Sequence, residues 1–132
     1  MRDEGGGLKV GRLGSWMAVL GWMGFIFFLS AQPSFPDLGL SDRVQEALRV
    51  VAHFTLYVVL SLLTSRAVTD DSQRAFARFL IVIAICAVYA LSDEWHQSFV
   101  PNRKADVFDW AVDMIGALVG YTLYSRRMKD EG

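Results

Sequence analysis

A single cysteine, three prolines and a net charge of −1 exclude several familiar readings of this 132-residue chain. Cys86 alone forms no intrachain disulfide, and its place inside a hydrophobic run gives no guide to redox compartment. The near-zero charge offers no electrostatic argument for nucleic acid. There is also no basic stripe, RNA-reading motif or zinc-finger spacing, so no nucleic-acid partner is expected. H-E-x-x-H, a glycine-rich phosphate loop and a recognisable serine triad are all missing. The apolar segments lack the period-two alternation of a membrane barrel. No internal repeat or low-complexity stretch interrupts them.

Apolar runs are abundant. Hydrophobic residues make up 53% of the chain and mean hydropathy is +0.31, although 20% of residues are charged. The charges lie mostly between and beyond the apolar segments, as in a membrane protein. The length fits one domain. Four segments, near residues 13–30, 49–66, 76–92 and 107–124, reach across a hydrocarbon core of about 30 Å at roughly 1.5 Å per residue. Backbone groups in lipid must pair within each segment, so the expected fold is all-α: an integral membrane bundle of four transmembrane helices. Residues 1–12, with Gly5, Gly6 and Gly7, are expected to form a flexible cytoplasmic N-terminus, and residues 125–132 a cytoplasmic tail. Arg2, Lys9 and Arg12 before the first run resemble a signal peptide. A cut after Ala31 would place Leu29 where a small residue is wanted, so the segment is expected to remain as a helix.

Pro33 and Pro36 end the first helix. Asp42, with Gln45 three residues on, is expected to cap a short helix whose Val44, Leu48 and Val51 share a face. This helix in the first outer loop is expected to lie at the membrane interface. Orientation is set by the basic residues. Nine (Arg2, Lys9, Arg12, Arg66, Arg74, Arg78, Arg126, Arg127 and Lys129) fall on one side, against Arg43, Arg49, Arg103 and Lys104 on the other. Both termini are therefore expected in the cytoplasm.

On that map the polar outliers gather at the outer face. The third helix ends in Ser92-Asp93-Glu94-Trp95-His96-Gln97, the fourth begins with Asp109 and Asp113, and the second begins with His53 and Tyr57. His53 and Tyr57 share a helix face by their four-residue spacing, as do Asp109 and Asp113. Asp113 lies about 9 Å into its helix. An ionisable group at that depth costs ~2.5–3.5 kcal/mol, so it should face the bundle interior and have a partner, His53 or Arg103. Gly116 and Gly120 continue its face in a spacing that lets another helix approach. Tyr89, Trp110 and Tyr121 read as core or interfacial anchors, and Cys86 as a small core residue.

Two chemistries suit the cluster. Carboxylates with imidazole are ligand types for a divalent metal such as zinc or manganese, although Glu94 and His96, two apart, diverge on a helix. Alternatively, Glu94 or His96 serves as general acid or base, with Asp93 and Asp113, on a lipid-linked substrate. His53, Tyr57, Gln97 and Asp109 would then line the substrate, and Arg103 would hold a phosphate.

The run His53-Phe54-x-x-Tyr57, then Ser92-Asp93-Glu94-x-His96-Gln97-x-Phe99-x-Pro101-x-Arg103, then Asp109-x-x-x-Asp113-x-x-Gly116-x-x-x-Gly120, resembles the VanZ-like family. So does the Ser30-Ala31-Gln32-Pro33 turn. The resemblance spans residues 13–124, with asparagine at 102 where glycine is expected. It implies a role in the bacterial cell envelope, at the outer face of the cytoplasmic membrane, and a link to teicoplanin, a lipoglycopeptide. It brings no established reaction. The readings it leaves are an enzyme on a lipid-linked cell-wall precursor, a protein that binds or shields such a molecule or the drug, and a small ion- or proton-coupled transporter. The last is disfavoured by the lack of a matched charge in the cytoplasmic half and of paired broken helices.

Overall fold

Apolar runs without turn residues should form uninterrupted helices, and they do. The structure, a computed structural model, describes residues 4–32, 39–68, 74–101 and 106–132, and among them there are helices and no strands. The helices are α1 (Glu4–Ser30), α2 (Asp42–Ala67), α3 (Ala75–Gln97) and α4 (Val107–Glu131).

Three boundaries differ from the sequence expectation, each for a physical reason. First, α1 runs back to Glu4 through the glycines expected to be flexible, because each added residue extends an existing ladder cheaply. Second, no separate interfacial helix exists among the described residues. Its residues are the first turns of α2, which runs 26 residues without a proline or glycine to break it. The N-cap is Ser41 rather than Asp42, and Gln45 Nε2 turns back to donate to the Leu40 carbonyl at 2.9 Å. Third, α3 continues through Asp93, Glu94 and His96 to Gln97, so these residues are helical. Pro33 and Pro36 lie outside the described residues.

Residues Gly11–Ser30, α2 and α3 are long and apolar enough to cross a membrane; α4 is not among them. The expectation of four such helices is met in three. α4 carries Asp109 and Asp113 near its start and Arg126, Arg127 and Lys129 near its end, which shortens its apolar stretch. The bundle is inverted relative to a water-soluble protein. Met17, Leu20, Val51, Val88 and Ile115 are exposed, whereas His53, Asp93, Glu94, Gln97, Asp109 and Asp113 are buried. Apolar surface on this scale belongs against lipid.

The most extensive contact joins α2 and α4. Arg49 meets Asp109 and His53 meets Asp113, both sixty residues apart, so the two helices run parallel in register. Ser61 Oγ carries the contact further by donating to the Ala117 carbonyl at 2.6 Å. Gly116 and Gly120 make the approach possible: a Cβ on Gly116 would lie 2.6 Å from the Phe54 carbonyl oxygen, and one on Gly120 would collide with that of Val58. α3 runs antiparallel to α4, with the Tyr121 hydroxyl donating to Ala75 O at one end and Glu94 accepting from Asp106 N at the other. α1 lies beside α2 and α3, where Trp22 Nε1 donates to Leu56 O and the Tyr89 hydroxyl donates to Met23 O.

The glycine contacts set a stability test. Gly116→Ala and Gly120→Ala should each lose about 1–3 kcal/mol through forced separation of the helices. Gly21→Ala, whose added Cβ meets nothing within 4 Å, should lose none. Unfolding of the three variants in detergent measures the difference, and equal behaviour would mean that the close α2–α4 contact is absent in solution.

Candidate functional site

The start of α2, the end of α3 and the start of α4 carry the polar groups, and their order on each helix decides which ones meet. On α2, Arg49, His53 and Tyr57 are successive four-residue steps along one face. On α4, Asp109 and Asp113 are the matching steps. Parallel packing therefore sets them opposite in pairs. Arg49 Nη1 donates to Asp109 Oδ2 at 2.8 Å while Nη2 holds Glu46 Oε1 at 2.6 Å. One step deeper, His53 Nδ1 lies 3.1 Å from Asp113 Oδ1. Asp113 is fully buried and His53 nearly so. With Asp113 ionised, Nδ1–H donates to it and Nε2 becomes the basic ring nitrogen, with no hydrogen-bond partner among the described residues. Tyr57 closes the row below, fully buried, its ring centroid 6.4 Å from that of Tyr89.

α3 contributes a second group. Glu94 Oε2 accepts from the backbone N–H of Asp106 at 3.0 Å, and Asp106 caps α4 by accepting from Phe108 N at 2.9 Å. The carboxylate thus ties the end of α3 to the start of α4. Gln97 Nε2 donates to Asp93 Oδ2 at 3.2 Å and to Ser30 Oγ at 3.3 Å, which fastens α3 to the end of α1. Asp93, Asp109 and Asp113 all lie within electrostatic reach of His53, and Glu94 is within reach of the same histidine. Asp113 Oδ2, Glu94 Oε1, Gln97 Oε1 and the Tyr57 hydroxyl are buried without a hydrogen-bond partner among the described residues. Buried polar atoms left open in this way are where water or a ligand group is accommodated.

Of the residues singled out from sequence, His53, Tyr57, Asp93, Glu94, Gln97, Asp109 and Asp113 face this interior. His96 does not join them. Its ring stacks on Phe27 of α1 at 4.1 Å between centroids, because on a helix it diverges from Glu94. Arg103 and Lys104 lie outside the described residues. No three His, Cys, Asp or Glu side chains among the described residues are grouped to hold a metal ion. The imidazole pairs with a carboxylate instead, and the other carboxylates accept from guanidinium, amide and backbone donors.

Two basic residues counted from sequence only towards orientation pack against α4. Arg49 is the ion partner of Asp109. The signal was available: Arg49 precedes His53 by the same four residues by which Asp109 precedes Asp113. Arg78, at the other end of α3, is buried, its guanidinium 5.7 Å from the centre of the Tyr124 ring. Arg49→Met would leave Asp109 buried and unpaired. Its expected cost is about 2–3 kcal/mol, below the ~3–5 kcal/mol of a fully enclosed pair. Arg49→Met combined with Asp109→Leu should recover most of that loss when unfolding is measured as a double-mutant cycle. Additive losses would show that the two side chains do not interact.

Comparison with known proteins adds the family. No curated protein and no solved structure matches the chain. A family model described as VanZ/LLP1 matches residues 15–128, which takes in α2 and α3 whole, most of α1 and α4, and every side chain placed in the polar cluster. On a match over most of its length, with the His53–Asp113 and Asp93–Gln97 elements inside it, the chain belongs to the VanZ/LLP1 family.

Proposed function

We propose that α4 crosses the membrane beside α2, making the chain a four-span protein of the bacterial cytoplasmic membrane with both termini in the cytoplasm. The parallel α2–α4 register supports this, since a helix locked alongside a membrane span accompanies it across. The outward apolar side chains of α4, Ile115, Leu118 and Leu123, suit contact with lipid. The nine-to-four distribution of basic residues supports the orientation, with His53 and Asp113 towards the outside. Ser98, just past the end of α3, and Asp130, in the last turn of α4, lie towards the two ends of α4. Introduced one at a time as Ser98→Cys and Asp130→Cys in a Cys86→Ser background, they should differ in intact cells: an impermeant maleimide labels position 98 and spares 130. Labelling of both positions would place α4 outside the membrane.

We further propose that the polar end acts at the outer leaflet on a lipid-linked or membrane-anchored envelope molecule. The observation that carries this is the fully buried Asp113 holding the His53 ring beside Glu94. An aspartate that fixes one ring nitrogen leaves the other as a proton acceptor, the arrangement used in general acid–base catalysis. His53 and Glu94 are then the proton-transferring pair, Asp113 positions His53, and Tyr57, Gln97 and Asp93 surround the bound group. Arg49 is engaged by Glu46 and Asp109, so the phosphate-holding role stays with Arg103. A non-catalytic reading, in which the cluster binds or shields a precursor or a lipoglycopeptide, is favoured by one feature: Arg49, Asp109, His53 and Asp113 all pair with one another.

Drug tolerance tests both readings. Overproduction in a glycopeptide-sensitive Gram-positive host should raise tolerance to teicoplanin more than to vancomycin, because a lipid-anchored drug works in the layer this site faces. Asp113→Asn and Glu94→Gln should accumulate normally and lose the effect. Full tolerance with both substitutions leaves only the shielding role. No tolerance from the unaltered protein at verified expression removes the drug-related function.

A further inference from the structure

Apolar grooves run along several helix seams on the outside of the bundle. One of about 420 Å³ lies between α1 and α3, against Val88, Tyr89 and Ser92. One of about 210 Å³ lies between α2 and α4, against Val51, Phe54 and Ile115. A third, of about 390 Å³, lies between the end of α3 and the start of α4 and is lined by Leu91, Glu94, Asp106, Val107 and Trp110. The first and third are of the size of small-molecule sites, roughly 300–1,000 Å³.

The third groove differs from the first in its polar atoms. In the α1–α3 groove the Tyr89 hydroxyl donates to Met23 O and Ser92 Oγ donates to Tyr89 O, so both are satisfied. In the α3–α4 groove Glu94, 7% exposed, uses Oε2 to accept from Asp106 N. Its Oε1 and the Trp110 Nε1 are buried immediately behind the wall without a partner among the described residues. One acceptor and one donor therefore stand unmet beside an apolar channel, each at the free-energy cost of an unmade hydrogen bond. The channel opens sideways past Leu91 and Val107, which are 56% and 80% exposed. That direction is towards bilayer, not water.

We propose that the α3–α4 groove binds one acyl chain of a phospholipid with a primary-ammonium headgroup. The chain lies against Leu91, Val107 and the Trp110 ring. Once the Glu94 and Trp110 side chains turn towards the groove, the ammonium donates to Glu94 Oε1, and a phosphate oxygen accepts from Trp110 Nε1. The lining dictates the occupant: an apolar tail, an N–H donor and an acceptor must come together in one molecule that arrives from the membrane. Phosphatidylethanolamine meets all three needs. Phosphatidylcholine has the same phosphate and tails but no N–H to donate. The proposal rests on the four-span reading, which sets this groove at the outer leaflet, and it names a lipid for the Glu94 side of the same site.

Native mass spectrometry of protein extracted from vesicles of equal phosphatidylethanolamine and phosphatidylcholine tests it. The unaltered chain should retain one phospholipid and favour the ethanolamine headgroup about tenfold, the scale of one hydrogen bond to a charged group. Leu91→Trp fills the groove and should cut retention at least fivefold, on the ordinary penalty for overpacking. Val107→Trp does the same from the facing wall, should either variant fail to insert. Glu94→Gln should keep the lipid and lose most of the headgroup preference. Val88→Trp in the α1–α3 groove should change neither quantity. Retention that mirrors the vesicle composition, or that survives both tryptophan substitutions, overturns the proposal, as does equal loss from Val88→Trp. Maleimide labelling at positions 98 and 130 and drug tolerance are read independently of retained lipid, so failure of the groove and failure of the broader function are told apart.

Discussion

An aspartate with no exposed surface, placed within an apolar bundle, constrains everything around it. Asp113 needs a donor, and His53 is the one α2 provides. That pairing fixes the rotation of both helices about their axes, since each must turn this residue to the other. It fixes their register too, because Arg49 and Asp109 one turn away must meet at the same time. Such closeness tolerates no side chain at the crossing, which is why Gly116 and Gly120 stand there. A buried pair of this kind adds little net stability, but removal of either member leaves the other uncompensated, which makes the pair a strong specifier of arrangement.

The same constraint explains why α4 is less apolar than its neighbours. α1, α2 and α3 meet the bilayer on length and composition. α4 brings two carboxylates whose partners among the described residues, Arg49 and His53, both stand on α2, so it is more stable beside α2 than alone. Its polar residues are not scattered: Asp109 and Asp113 turn inward while Ile115, Leu118 and Leu123 turn outward. Average hydropathy blurs these two faces into one middling value, whereas the packing keeps them apart.

The all-helical class, with three helices apolar enough to cross a membrane, was legible because apolar runs of this length have one backbone solution in lipid. The inward direction of Asp113 was legible from the cost of the alternative, and the close approach at Gly116 and Gly120 from their spacing. His96 was not. It lies among acidic neighbours in sequence, but two residues' rotation on α3 carries it from Glu94 to the Phe27 ring of α1. Arg49 was missed as an ion partner because a charge at a helix start counts towards orientation, and its pairing shows only once α2 and α4 are known to lie side by side. The interfacial helix failed for a related reason: an amphipathic first turn looks the same whether the helix stops or continues. Residues further along the chain decide between the two, and nothing after Val51 breaks α2.

The polar groups are also graded along the bundle, and the gradient bears on the kind of function it can host. Below Tyr57 the interior is built from Leu60, Val82, Cys86, Ala90 and Ala117, all fully buried. Ser65 Oγ is buried without a hydrogen-bond partner among the described residues, and the other two hydroxyls in this layer are turned to the backbone: Ser61 donates to Ala117 O and Thr64 to Leu60 O. Hydroxyls held in that way keep a helix interface dry and offer little to a passing ion. The next buried charge, Arg78, sits at the far end against the Tyr124 ring, separated from Asp113 by this apolar layer. A route for a proton or cation across the bundle would need a continuous row of ionisable groups, and past Tyr57 the same face of α2 carries the hydroxyls of Ser61 and Ser65 instead. The chemistry of the chain is therefore one-sided. On the four-span reading proposed above, a polar cluster at one membrane face with packed side chains beneath it suits a molecule that arrives, is held and leaves within a single leaflet.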